Sequence, residues 1–395
     1  MKITFPPVSS PALRAIAAPA IAVVNEEADR LQKAGREVIR LGQAVPDLVP
    51  SPAVMEKVAS ALSQRFIHFY SPDPGLPELR QALAKKLATF NRFPVDPQRE
   101  LLVTVGANQA FVQALIGLGE RGAEVVLPSP YYMNHAMAVE MLGMTVVEVP
   151  LTEETSGYSL DPEMIEKALT SRTRAIVLVS PNNPTGTVFE PDSLRAVAEM
   201  ACERGIAVIS DEVYEYFCEK PYSLASEERF RQNVVTIGSF SKTFGMTGWR
   251  VGYMAASAEL TEQFLKVHDS TVICAPVISQ LAVLEALKQP MFFLEEYNRV
   301  LRERAAFLEG RISRIPGLQW RPSRGAMFAM VAVDHPLPSS ELALDLLRRT
   351  GVATVPGSAF GKFGEGHLRI SFGFADEDLL SKACDRLESY FSEGP

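Results

Sequence analysis

Short apolar runs bounded by turn residues alternate with helix-spaced segments through the middle of this chain. Leu101 to Val105, Glu124 to Leu127, Thr145 to Val149, Arg174 to Val179, Ile206 to Ser210 and Val234 to Ile237 read as strands. Between them Gln109 to Leu118, Asn134 to Leu142, Asp161 to about Leu169 and Pro191 to Arg204 read as helices. Strand and helix in strict alternation predict an α/β fold, with a mainly parallel sheet sandwiched by helices.

The flanking regions have a different style. Residues 1 to about 50 predict an arm, a helix over Glu26 to Ala34 and a short strand Val38 to Leu41. A helix then opens with Ser51 as N-cap and Pro52 in its first turn, with Val54, Val58 and Leu62 as its apolar stripe. Another runs from Pro77 to Phe90 with Leu79, Leu83 and Leu87 at fourfold spacing. Beyond about residue 285 the pattern predicts a long helix from Pro290 to Ile315 and strands at Ala326 to Val333, Val352 to Val355 and Leu368 to Ser371. Helices Ser340 to Arg349 and Asp376 to Phe391 complete it. The expected division is a large domain over 51–285 and a smaller α+β domain from both termini, 1–50 and 286–395.

Composition narrows the class. With 395 residues, 47% hydrophobic and 22% charged, the chain is an ordinary folded protein, long enough for two cores. A formal net charge of −8, without a dense basic run, argues against a nucleic-acid partner. Cys202, Cys218, Cys274 and Cys384 are scattered, which fits a reducing, cytoplasmic setting without a metal site. No histidine pair has ligand spacing, so His68, His135, His268, His335 and His367 read as structural or solvated. Ala12 to Val24 is apolar, but Arg14 and Pro19 interrupt it and acidic residues follow. It reads as a packed helix and arm rather than a secretory signal.

Chemistry concentrates where strands end. Ser239-Phe240-Ser241-Lys242 leaves the strand Val234 to Ile237, with Arg250 eight positions after the lysine. A lysine there has positive neighbours and partial desolvation to lower its pKa and free its amine as a nucleophile. The two serines and Arg250 can donate to a phosphate. Thr104-Val105-Gly106-Ala107-Asn108 turns from strand to helix, a place where backbone N–H groups can approach an anion. Ser180-Pro181-Asn182-Asn183-Pro184-Thr185-Gly186 fixes a turn whose amides both donate and accept. Asp211 heads Asp211-Glu212-Val213-Tyr214; it can face a ring nitrogen or cap a helix. Arg369 sits within an apolar strand, where a buried arginine asks for an acidic partner, in the protein or on a ligand.

These strings, in this order over nearly the whole chain, resemble the class I aminotransferases of the pyridoxal-phosphate family, fold type I. The resemblance implies pyridoxal 5′-phosphate held by Lys242 as a Schiff base, with Lys242 also shuttling the substrate proton. It implies Asp211 at the ring nitrogen and Tyr214 at the phenolic oxygen. Gly106, Ala107, Asn108, Ser239, Ser241 and Arg250 would surround the phosphate, and Tyr132, after Pro130-Tyr131, would stack on the ring. Asn183 would serve cofactor and substrate together, with Arg369 clamping the substrate α-carboxylate and Ala44 on the adjoining wall. Tyr70 resembles the tyrosine that reaches the neighbouring subunit's phosphate, which implies a homodimer.

Two positions depart from the family pattern. Ala44 replaces a glycine common in relatives, and Asn108 stands where some aspartate- and prephenate-acting relatives carry a lysine. The expected activity is transfer of an amino group from an L-amino acid, with neutral, methionine or aromatic side chains favoured and aspartate as the runner-up, to a 2-oxo acid by a ping-pong mechanism. A carbon–sulfur lyase or other eliminating enzyme on the same fold is the alternative. A non-catalytic regulator would carry a DNA-binding segment that the first 50 residues lack.

Overall fold

The computed structural model describes residues 10, 13–14 and 16–393; the remaining residues of the predicted arm and the last two residues lie outside it. Its centre is a seven-stranded sheet in the order Leu101–Thr104, Gly252–Ala255, Val234–Ser239, Ala207–Asp211, Thr173–Val179, Glu124–Ser129, Thr145–Pro150. Only Gly252–Ala255 runs antiparallel to its neighbours. Successive residues of one strand go to opposite faces. Val103, Val126, Ile176 and Val208 join one buried cluster, while Leu102, Val125, Val177 and Ile209 join another. Each fully buried aliphatic side chain of this kind contributes about 1.5–3 kcal/mol. That two-sided burial explains the unbroken apolar runs.

Topology then gathers the chemistry. Six strands point the same way, so their C-terminal ends share one edge of the sheet. The antiparallel strand begins at that edge, which brings Arg250 there as well. In open α/β sheets this edge is where ligands bind.

A second, four-stranded antiparallel sheet has the order Leu318–Trp320, Phe328–Val333, His367–Ser371, Val355–Pro356. Helices Phe292–Ile312, Ser339–Thr350 and Glu377–Ser392 share its core through Leu301, Leu308, Leu342, Leu346 and Leu387. The N-terminal segment packs with this part of the chain. Ile39–Arg40 pairs in parallel with Val352–Ala353, and Val24 and Leu31 of helix Ala20–Lys33 meet Leu347 and Ala353.

A hairpin, Thr152–Glu154 with Gly157–Ser159, ties the two sheets together. Glu153 accepts from Arg321 Nε at 2.5 Å and lies 3.3 Å from His367 Nε2. Its hydrogen bond with His367, helped by Arg321, holds its carboxyl down at about 2.

Several expectations need correction. Leu62 is 57% exposed, because the helix Pro52–Ala61 stops one residue earlier and buries Ala61 instead. The helix from Pro77 keeps α geometry only to Lys86 and widens into a π turn over Leu87–Asn91. Val352 to Val355 is not one strand: Val352–Ala353 pairs with Ile39–Arg40, and Val355–Pro356 pairs with His367–Ser371. Helices Ala258–Thr271 and Val277–Ala286 are additional to the elements read from sequence, as is strand Leu318–Trp320.

Candidate active site

A cavity of about 320 Å3 opens at the shared strand edge. Ala107 and Asn108 enter it from the end of Leu101–Thr104, Tyr132 from Glu124–Ser129 and Asn183 from Thr173–Val179. Asp211 and Tyr214 come from Ala207–Asp211 and its following turn, and Ser239, Ser241 and Lys242 from Val234–Ser239. Arg250 precedes the antiparallel strand, Arg369 arrives from the second sheet, and Ala44 closes the N-terminal side. Gly106 adjoins the cavity beneath Arg250. Tyr70 stands apart, 77% exposed.

One end of the cavity is built for an anion. Gly106 is the N-cap of helix Ala107–Leu118, and no side chain caps that helix. The first N–H groups of a helix lack internal partners and favour negative charge. Ser239 Oγ accepts the Ser241 N–H at 3.1 Å, while Arg250 Nη1 reaches the Thr247 carbonyl at 2.9 Å and Ser241 Oγ at 3.5 Å. Gly106 has φ +79°, and a Cβ there would meet Arg250 Nη2 at 2.4 Å. Gly106→Ala therefore imposes both backbone strain and displacement of Arg250. Its expected result is at least about tenfold weaker cofactor binding, read by titrating apoprotein, from a strain of about 1–3 kcal/mol.

A carboxylate lines the same cavity. Asp211 is 6% exposed; its Oδ1 accepts the Val213 N–H at 3.1 Å and its Oδ2 lies 3.3 Å from His135 Nε2. Asp211 thus caps a turn and faces the cavity; no helix follows it. His135 stacks on Phe111 with ring centroids 3.9 Å apart, and Tyr132 meets its edge at 5.2 Å. Tyr132 Oη accepts from Asn134 Nδ2 at 2.8 Å. Burial raises the hydroxyl pKa of both Tyr132 and Tyr214, keeping them as neutral donors.

The two cations inside differ in setting. Lys242 Nζ donates to the Ala44 carbonyl at 2.6 Å, and burial, followed by Arg369 and Arg250, brings its pKa down to about 8. The fall has the direction and the causes expected from sequence. Arg369 is 2% exposed and has no carboxylate partner among the described residues. Its Nη1 donates to Asn183 Oδ1 at 2.9 Å, its Nη2 donates to the Gly42 carbonyl, and its Nε has no partner. The internal salt bridge considered from sequence is absent among those residues. Asn182 instead serves the loop, its Oδ1 accepting from Thr185 Oγ1 at 2.8 Å.

A larger cavity, about 650 Å3, lies between helix Phe292–Ile312 and the Phe217–Lys220 turn. Its charged residues, Lys220, Arg302, Arg324, Glu190, Glu219 and Glu295, are all exposed. It offers no buried polar group comparable with those above.

A family model described as "Aminotransferase class I and II" matches residues 36–387. The chain belongs to the class I and II aminotransferases. This pyridoxal-phosphate-dependent aminotransferase is 38% identical to an "Aspartate aminotransferase" of Pyrococcus abyssi, over 91% of this chain and 92% of the relative. It is 36% identical to "Aromatic-amino-acid aminotransferase 2" of Thermococcus litoralis, over 90% and 92% of the two chains. A solved aspartate aminotransferase double mutant of Thermus thermophilus superposes with a TM-score of 0.89 at 34% identity, covering 96% of this chain and 99% of that one. Fold type I, expected from sequence, is the fold of this aminotransferase.

The residues fit the family's cofactor. An uncapped helix end with two hydroxyls and a guanidinium suits a phosphate, an amine of lowered pKa lines the same cavity, and a carboxylate faces it beside His135. Gly106 leaves the room that a side chain would fill. Sequence reasoning missed His135, Asn134 and the Gly42 carbonyl. Strands Glu124–Ser129 and Ala207–Asp211 lie two apart in the sheet, so only the fold brings His135 to Asp211. No local string announces that pairing.

Proposed function

We propose that this aminotransferase takes its amino group from L-amino acids with neutral side chains, methionine and aromatic ones above aspartate, and passes it to a 2-oxo acid by a ping-pong sequence. The charge inventory of the cavity carries this reading. Its cations among the described residues are Lys242, Arg250 and Arg369. Each has a use: the nucleophilic amine, the phosphate and the α-carboxylate. The remaining wall includes Ile21, Val45 and Met133, with Asn108 uncharged, so a second carboxylate on the substrate meets no further cation among the described residues that line the cavity.

Bound pyridoxal 5′-phosphate supplies an aldehyde for amines and a conjugated ring that draws electrons from the substrate Cα. Gly106, Ala107, Asn108, Ser239, Ser241 and Arg250 would hold the phosphate. Asp211, steadied by His135, would favour a protonated ring nitrogen, and Tyr214 would donate to the phenolic oxygen. Tyr132 would pack on the ring and Asn183 would serve cofactor and substrate together. Arg369 grips the α-carboxylate with two parallel N–H groups, which fixes the Cα proton relative to Lys242 Nζ. Lys242 Nζ then removes that proton and returns one as general acid.

Residues 51–285 in this reading form the cofactor-binding domain, and 1–50 with 286–395 the smaller one. Leu62, Phe66, Phe69 and Tyr70, close in sequence, are all exposed, which suits contact with a second copy of the chain, whose cavity Tyr70 would complete.

The test is a donor panel of methionine, phenylalanine, tyrosine, tryptophan, alanine and aspartate against 2-oxoglutarate and pyruvate. A kcat/KM highest for a neutral donor, with parallel initial-rate lines, is the expected outcome. A highest value for aspartate would overturn the side-chain assignment, and release of ammonia without amino transfer would overturn the reaction.

A further inference from the structure

Behind the turn that brings Asp211 and Tyr214 to the cavity lies a second, wholly internal group of charges. Asp211 and Tyr214 line the cavity, whereas Glu212 and Glu215, one residue further along, are buried away from it at 3% and 6% exposure. Two carboxylates thus lie together in the interior with one ammonium, Lys86. Lys86 Nζ donates to Glu215 Oε1, to Asn91 Oδ1 at 2.8 Å and to Tyr253 Oη at 3.0 Å. The Asn91 amide joins both acids, donating to Glu212 Oε2 at 3.0 Å and Glu215 Oε2 at 2.6 Å. Ser210 and Ser223 donate to Glu212 Oε1 at 2.9 and 2.8 Å.

The backbone is adapted to this group. Lys86 and Asn91 are five residues apart. With about 3.6 residues per turn they would face different sides of an α-helix, whereas an i→i+5 turn puts them on one side. The π turn Leu87–Asn91 has that geometry and ends at Arg92 with φ +63°. The opposite wall is adapted too: a Cβ on Gly238 would meet the Tyr253 ring at 2.2 Å, so the bare glycine leaves the phenol its place.

Apolar side chains would fill such a volume at least as stably as an ion pair with an extra carboxylate. What the charged arrangement supplies is a fixed geometry, since directional hydrogen bonds link the helical segment of Lys86 and Asn91 to the turn of Glu212 and Glu215 and to Tyr253. We propose that Lys86, acting through Glu215, Asn91 and Glu212, is a positioning residue that fixes the turn presenting Asp211 and Tyr214. This rests on the reading that Asp211 and Tyr214 address the cofactor ring. Burial and the adjacent Glu215 carboxylate push the Glu212 carboxyl well above the usual carboxylate range, and Lys86 opposes that rise. Without Lys86, Glu215 Oε1 and Asn91 Oδ1 lose their shared donor, and the turn that carries Glu212 and Glu215 is the element free to yield.

The holoenzyme of Lys86→Met tests this. Expected are a folded protein by circular dichroism, a kcat lowered about ten- to a hundredfold, as for a catalytic group displaced by up to 1 Å, and an amino-acid KM within about twofold. The pH midpoint of the bound cofactor's visible absorption should also shift, because the groups addressing its ring have moved. Folded Lys86→Met with unchanged kcat and midpoint would overturn the proposal. If Lys86→Met does not fold, Lys86→Met/Glu215→Met, which removes both members of the ion pair, decides. Lowered kcat and a shifted midpoint support the role, and wild-type values overturn it. Asp211→Asn, measured alongside, separates the two levels: an unmoved midpoint there would mean that the underlying site reading fails, whatever Lys86 does.

Discussion

Lys242→Ala should yield a folded protein whose amino transfer is about three to four orders of magnitude slower, because it removes the nucleophile and the proton-transfer group together. Borohydride treatment should attach a pyridoxyl group at residue 242 in the wild type and nowhere in the variant. An alanine variant with near wild-type turnover would remove Lys242 from the reaction. The wild-type amine makes a second, quantitative statement. With its pKa lowered from 10.5 to about 8, roughly one amine in ten is neutral at pH 7, against fewer than about one in a thousand for an ordinary lysine. Cofactor uptake by apoprotein should therefore accelerate with pH and level off above about 8. Continued acceleration toward pH 10 would show a lysine that burial and its cationic neighbours do not perturb.

The second large effect is Arg369→Met. Loss of the α-carboxylate partner should lower kcat/KM by about two orders of magnitude or more, the scale of truncating a buried charged hydrogen-bond partner. Most of the loss should fall on KM. Stability should move the opposite way. Arg369 is a buried cation without an acid, and burial brings its pKa down from 12.5 to about 10. A base that binds its proton more weakly when folded opposes folding below its folded pKa, and the opposition fades as pH rises through about 10. At neutral pH the methionine variant should melt at or above the wild-type temperature while being the poorer enzyme. A strongly destabilised variant would mean that Arg369 serves the fold rather than the substrate.

The site was legible in the sequence to the extent that its parts are local strings at strand ends. Ser180–Gly186, Asp211–Tyr214 and Ser239–Arg250 each carry their turn chemistry within a few residues, and the parallel sheet places them along one edge. Whatever depends on partners far away in the chain was not legible. His135 acquires meaning only beside Asp211, and Lys86 reads as one more helical lysine until Glu215 is placed against it. Periodicity also fails where a helix changes pitch, as at Leu87–Asn91, or where a run changes sheets, as between Ala353 and Val355. Apolar residues recur in both cases, but the hydrogen-bonding partner changes.

The Glu153 hairpin has a reach beyond its own sheet. His367 and Arg369 are two residues apart on one strand and so project from the same side of it. Glu153 grasps the first, which moors the strand that carries the second to the hairpin. Wear on that mooring, even at residues that never see an amino acid, should loosen the grip on the substrate's acid end before it touches the lysine, and so penalise substrate capture ahead of turnover.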